Sequence, residues 1–177
     1  ATARRNGRYG KLAFSLGRTQ IVAPGFDLFV SMNGQYASKN LDPSEKFYLG
    51  GYYNVRAYPT NEAGGDNGAS FHVQLTRHVP LQTTAAKLDC FTFYDAGFVE
   101  LNKTLWAGWN SYNPSLPNSY WLQGIGAGAN LTLWNRYKIT ASVSDRIGSN
   151  PGANQNGTDG NGTLQQISVW LGAKVSF

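Results

Sequence analysis

Among the residues of this 177-residue chain that can do chemistry, one draws the first question: Arg56, the single arginine of its stretch. It lies in the stretch from Tyr48 to Gly68, YLGGYYNVRAYPTNEAGGDNG, between Val55 and Ala57-Tyr58-Pro59. A guanidinium is a planar fork of donors, and its best complement is a carboxylate held bidentately. The candidate carboxylate is Asp95, within LDCFTFYDAGFV. A loop arginine is ordinarily a solvated cation, so pairing requires elements that bring the two groups together away from water.

Other chemistries find no constellation. Cys90 is the single cysteine, so no internal disulfide forms. His72 and His78 lie far from it, no zinc-type Cys/His spacing exists, and no metal site is expected. Gly124-Ile-Gly-Ala-Gly128 resembles a nucleotide loop only in its glycines. It lacks the strand-then-helix context and the downstream acid. Glu62 and Asp66 sit close behind Arg56 and are expected to fix loop shape rather than to catalyse. The sequence therefore reads as a non-enzyme without a cofactor.

Composition narrows the class. Charged residues make up 14% of the chain and aromatics another 14%, with 21 glycines. Disordered chains show the opposite bias, so the composition fits an all-β protein with many tight turns. The net charge of +5 is spread along the chain, which argues against a nucleic-acid surface. No apolar run approaches the ~18 residues of a membrane helix. The opening ATARRNGRYG lacks the apolar region of a signal peptide.

The elements come from strict alternation. In LQQISVWLGAKVSF, Ile167, Val169, Leu171, Ala173, Val175 and Phe177 share an apolar face opposite Gln166, Ser168, Trp170, Gly172, Lys174 and Ser176. The same pattern runs through KLAFSLG, FDLFVSMNGQY, ASFHVQLTR and RYKITASVSDR, and less cleanly through LDCFTFYDAGFV and WLQGIGAGANLTLW. That predicts about seven strands. Their connections alternate short and long: QIVAPG, then 37–67, PLQTTAA, 101–118, Asn135, and 148–163. Short turns on one rim and long loops on the other are the layout of a transmembrane antiparallel β-barrel. Strands near ~10 residues and aromatics at strand ends (Phe26, Tyr36, Trp121, Trp134, Tyr137) favour it over a soluble sandwich. On this reading Asp95 shares a lumen face with Asp89 and Gly97, His72 is a lumen residue, and Cys90 faces lipid with Leu88 and Tyr94. Gly124, Gly126 and Gly128 strip one strand face of side chains, which lets another backbone lie close. The loop 38–67 is expected to fold back into the barrel, pairing Arg56 with Asp95.

The stretch FYLGGYYNVRAYPTNEAGGDNG closely resembles the loop-six motif of the Omp85 superfamily, and its flanks resemble the two-partner-secretion branch, the TpsB transporters. Phe93, Asp95 and Gly97 match the superfamily's Phe-x-Asp-x-Gly strand motif, and five strands follow the loop as in the family. Two departures stand out: Tyr52-Tyr53 replaces a frequent Gly-Pro, and Ala57 replaces a Gly.

The resemblance implies an outer-membrane pore that secretes a large TpsA-type haemolysin or adhesin. In it Val55, Arg56, Ala57 and Tyr58 form a lumen latch on Phe93, Asp95 and Gly97. Family barrels have sixteen strands after two POTRA domains, so residues 1–177 are expected to be the C-terminal part of such a barrel, without POTRA domains. Gly172, Val175 and Phe177 resemble the C-terminal signal read by the barrel-assembly machinery. Outer-membrane lipid and lipopolysaccharide are the implied surroundings. The alternatives are a BamA-like insertase, which the wording of the loop disfavours, and a passive porin-type barrel.

Overall fold

The computed structural model describes residues 3, 5–163 and 165–176. Phe177, the last residue of the expected assembly signal, lies outside them. Seven long strands form one antiparallel sheet: β1 (Lys11–Ala23), β2 (Phe26–Ala37), β5 (Asn67–Val79), β6 (Ala86–Glu100), β7 (Ser119–Leu133), β8 (Tyr137–Arg146) and β9 (Ile167–Val175). They pair in the order β1-β2-β5-β6-β7-β8-β9, so each long strand neighbours the next in the chain. A two-stranded ribbon, β3 (Phe47–Leu49) with β4 (Ala63–Gly65), interrupts the series between β2 and β5. No helix among the described residues is long and apolar enough to cross a membrane.

At 9 to 15 residues the sheet strands are long enough for tilted membrane strands. One rim carries tight connections. Pro24-Gly25 closes β1–β2, and Trp134 and Asn135, with φ of 51° and 55°, close β7–β8. Two positive φ values in succession, with Arg136 N donating to Leu133 O at 2.9 Å, make a type I′ turn, whose twist matches that of the flanking strands. The opposite rim carries the long connections 38–66, 101–118 and 147–166.

β1 is longer than the expected KLAFSLG. It continues through Arg18-Thr19-Gln20-Ile21-Val22-Ala23, and a bulge at Ile21/Ala23 leads into the turn. The segment QIVAPG is therefore mostly strand, because Pro24-Gly25 suffices to reverse the chain. The extension leaves Arg18 and Gln20 on the outer face, where Arg18 Nη2 donates to Gln20 Oε1 at 2.8 Å.

The two faces differ as the alternation requires. The outer face leaves large apolar side chains uncovered: Leu12, Leu16, Val169 and Leu171 are 65–80% exposed. A continuous apolar surface of this kind needs an apolar neighbour. The inner face is polar and partly covered, with Ser70, Asp95, Thr140, Ser142 and Ser144 buried.

What covers the inner face is the long connection after β2. The hydrophobic core consists of Leu49, Val55, Ala57, Tyr58 and Ala63 from this connection, packed on Val99, Tyr120 and Leu122 of β6 and β7. The core thus lies between a loop and a sheet, rather than between two sheets. It fixes where the loop sits.

Candidate functional site

The loop tip is a small folded unit. Gly51 N donates to Tyr58 O at 3.0 Å, Asn54 N to Gly51 O at 3.0 Å, and Tyr58 N to Val55 O at 3.2 Å. Gly50 and Gly51 take φ of 95° and 99°, which only glycine adopts freely. This compaction places Arg56 within a turn that presses onto the inner face of β6.

Arg56 meets Asp95 through three hydrogen bonds. Nε donates to Oδ2 at 2.8 Å, Nη2 to Oδ1 at 3.1 Å, and the Arg56 backbone N to Oδ2 at 3.1 Å. The residues are only 5% and 1% exposed, so the pair is removed from water. The guanidinium also lies over the Phe93 ring, 3.1 Å from its centroid, and Nη1 donates to Gln74 Oε1 at 3.2 Å. Breaking a buried pair by removing one partner typically costs about 3–5 kcal/mol, because the other charge is left unpaired.

Phe93, Asp95 and Gly97 are alternate residues on the inner face of β6, and each meets a different part of the tip. Phe93 stacks under the guanidinium and Asp95 binds its edge. Gly97 leaves room for Leu49 and Val55, whose methyl groups would collide with a Cβ there. Ala57 and Tyr58 are fully buried beside them.

The other side of the tip is held by distant strands. Ser144 Oγ and Trp170 Nε1 each donate to Arg56 O at 2.8 Å. Arg146 Nε and Ser168 Oγ donate to Ala57 O at 3.1 and 3.2 Å. The side chain of Arg56 is therefore tied to β5 and β6, and its carbonyl to β8 and β9.

His72 is the residue that sequence reasoning left out of this cluster. It was placed in the lumen without a partner, yet it is the direct register partner of Asp95 across β5 and β6. Its Nδ1 hydrogen-bonds Asp95 Oδ1 and lies 2.9 Å from Arg56 Nη2. One ring nitrogen cannot both donate to the carboxylate and accept from the guanidinium. The signal was present in the alternation of β5 but needed the strand register to be read.

The glycine face divides differently from the expectation. Only Gly124 receives the loop: a Cβ there would overlap Ala57. Gly126 and Gly128 are covered by the rings of Phe93 and Phe91, their direct partners on β6. Those two glycines seat aromatic rings, beside carbonyls of β8, rather than the loop backbone, because the large residues on β6 reach them first. At the C-terminal strand, Gly172 has open space on its Cβ side and Val175 ends β9, 44% exposed.

A second layer anchors the loop from outside. Arg146 forms a fork on Asp159, with Nη1 to Oδ1 at 2.8 Å and Nη2 to Oδ2, and its guanidinium lies 4.5 Å from the Tyr58 ring centroid. Asn150 Nδ2 donates to Glu62 Oε1 at 2.6 Å, and Gly160 N to Oε2 at 2.9 Å. Burial pushes the Glu62 carboxyl up, against these two hydrogen bonds. Asp66 accepts from the backbone N of Leu41 at 3.0 Å and of Lys103 at 2.9 Å. Both acids shape the loop region as expected.

Comparison with known proteins gives a consistent picture. The heme/hemopexin transporter protein HuxB of Haemophilus influenzae strain 86-028NP is 30% identical over 137 residues, covering 77% of this chain and 23% of that protein. HuxB of strain KW20/Rd is 28% identical over the same length. The chain thus spans about a quarter of the length of these curated relatives. Among solved structures, CdiB from Escherichia coli superposes with a TM-score of 0.71 at 16% identity, over 96% of this chain and 28% of that one. CdiB from Acinetobacter baumannii gives 0.61 at 18% identity, over 94% of this chain and 27% of its own. The curated relatives are named as transporters rather than enzymes, and the fold is that of part of a transmembrane barrel. The model of the haemolysin secretion/activation proteins ShlB/FhaC/HecB matches residues 1–131, so the chain belongs to that family, the TpsB branch of the Omp85 superfamily.

Proposed function

We propose that this chain is the C-terminal barrel portion of an outer-membrane pore that exports a large TpsA-type protein, and that the Val55-Arg56-Ala57-Tyr58 tip is its lumen latch. The observation that carries this reading is the buried, bidentate Arg56–Asp95 pair, which holds a long loop against the polar inner face. A fixed structural loop would be held as well by apolar contacts alone. A charge pair adds an interaction that can be exchanged for water or for passing polar chain. The names of the relatives, haemolysin secretion proteins and a heme/hemopexin transporter, support an exported cargo.

Export at this membrane has no nucleotide to spend. Cargo would move by binding on the short-turn side and folding beyond the long loops, while the latch yields during passage. The apolar outer face sits in outer-membrane lipid, with lipopolysaccharide around the long-loop rim. Gly172 and Val175 belong to the strand that the barrel-assembly machinery reads.

The test is charge reversal in the complete secretion protein. Arg56→Asp and Asp95→Arg should each free the loop and reduce cargo secretion, and the double reversal should recover part of it. A double variant no better than either single one would overturn the latch pairing. Steady, large conductance of the wild-type pore with its loop in place would favour a passive porin instead.

A further inference from the structure

The outer face carries a groove that the translocation reading does not use. It lies over β5, β6 and β7 toward the short-turn rim and has a volume of about 280 Å³. Its floor is made of small residues, Cys90 and Thr92 of β6 and Ala127 of β7, and Leu75 of β5 walls one side. Strand register makes this arrangement: Leu75 is paired with Thr92, Thr92 with Ala127, and Arg77 with Cys90. Cys90, Thr92, Ala127 and Leu75 are all exposed.

At the rim end of the groove stand Phe26 and Arg77. The Arg77 guanidinium lies 4.5 Å from the centroid of the Phe26 ring. Among the described residues, no carboxylate is paired with it. An arginine on the lipid side of a barrel is costly at mid-depth and falls to about 0–1 kcal/mol near the interface. Arg77 is two residues from the end of β5 at Val79, which places it at that interface. Stacking on Phe26 steadies the guanidinium while leaving its in-plane donors free, the geometry that suits a phosphate.

An apolar slot with an unpaired donor fork at its interfacial end matches one class of ligand. We propose that this groove is a seat for a glycerophospholipid of the short-turn-side leaflet, with an acyl chain along Leu75, Cys90, Thr92 and Ala127 and the phosphodiester on Arg77. The proposal rests on reading the outer face as membrane-facing. Free phosphate would account for the fork but not for the slot. A second copy docked through the same face would bring another unpaired guanidinium to this one.

The experiment is native mass spectrometry of the complete protein released from phospholipid nanodiscs. The wild type should retain a phospholipid under activation that strips bulk lipid. Arg77→Gln should lower that retention roughly tenfold, the loss of one charge-assisted phosphate contact. Ala127→Trp, which fills the slot and keeps Arg77, should lower it similarly. Arg18→Gln, which removes an outward cation outside the groove, should leave it unchanged. Equal retention by the wild type and Arg77→Gln would overturn the proposal, as would undiminished retention by Ala127→Trp or displacement of the lipid by millimolar inorganic phosphate. Heat-modifiable migration checks that each variant is a folded barrel, and Thr92→Leu replaces Ala127→Trp if the latter fails to fold. A wild-type protein that never inserts into nanodiscs would sink the membrane reading itself, a result distinct from loss of the lipid seat.

Discussion

His72 and Asp95 face each other as register partners on β5 and β6, and the imidazole competes with Arg56 for the same carboxylate oxygen. The Asp95 carboxylate thus has two suitors, one on the loop and one on the wall. Replacing His72 by Phe should leave Asp95 wholly to Arg56 and keep the loop docked. Replacing Arg56 by Ala should release it, at a cost of about 3–5 kcal/mol. Limited proteolysis of 50–60 in the two variants checks this. Rapid cleavage in His72→Phe at the rate seen in Arg56→Ala would assign the docking to the imidazole.

Arg56→Lys keeps the charge but loses the fork. A single ammonium cannot span both oxygens of Asp95 and also reach Gln74. Partial release is expected, between wild type and Arg56→Ala, read as the open fraction in single-channel recordings. A lysine variant indistinguishable from wild type would mean that charge alone holds the tip.

Gly124 and Gly126 should respond to alanine in different ways. At Gly124 the new methyl meets Ala57 and the carbonyl of Asp145, so the tip must lift. At Gly126 it meets the Phe93 ring and the carbonyl of Val143, so the disturbance falls on the wall and on the ring beneath Arg56. Gly124→Ala should raise pore conductance more than Gly126→Ala. The reverse order would show that the ring, not the close approach of backbones, sets the tip's position.

The docking of the last long loop on Glu62 should depend on pH. Burial raises the folded pKa of this carboxyl above its ordinary value of 4.5, so the docked state favours the protonated form. Its stabilisation is complete below the unfolded value and is lost as pH rises through the folded one. Amide exchange across 150–160 should accelerate over that window in the wild type and stay flat in Glu62→Gln. A pH profile in Glu62→Gln matching the wild type would place the titrating group elsewhere.

Trp170→Phe removes one of two donors to the carbonyl of Arg56. Ser144 remains, so the cost should be near 1 kcal/mol, that of an ordinary hydrogen bond. Thermal or denaturant melting of the loop signal measures it. A loss as large as that of Asp95→Ala would make the indole a principal anchor.

Strands were legible in this sequence because a period of two is a local property: Ile167, Val169 and Leu171 announce their face without any partner. Asp95 was legible for the same reason, since its parity with Gly97 put it on the inner face. His72 was on the correct face, but its role depends on which residue of β6 lies opposite, and register is a property of two strands. Ser144 and Trp170 lie 88 and 114 positions from Arg56, and neither residue type announces a backbone partner. Gly126 and Gly128 misled because a bare strand face invites either a backbone or a ring. The choice was settled by Phe91 and Phe93 on the neighbouring strand.

The tip of the loop is fastened at its side chain to β5 and β6 and at its carbonyls to β8 and β9. Mechanically it is a tie across an arc of wall, with β7 at the crown between its two ends. Any force that flattens or widens that arc loads both fastenings at once, whereas a pull along the strands can peel them in turn. A load that strains the wall outward meets the tie at its strongest, and one that drags on the tip meets it at its weakest.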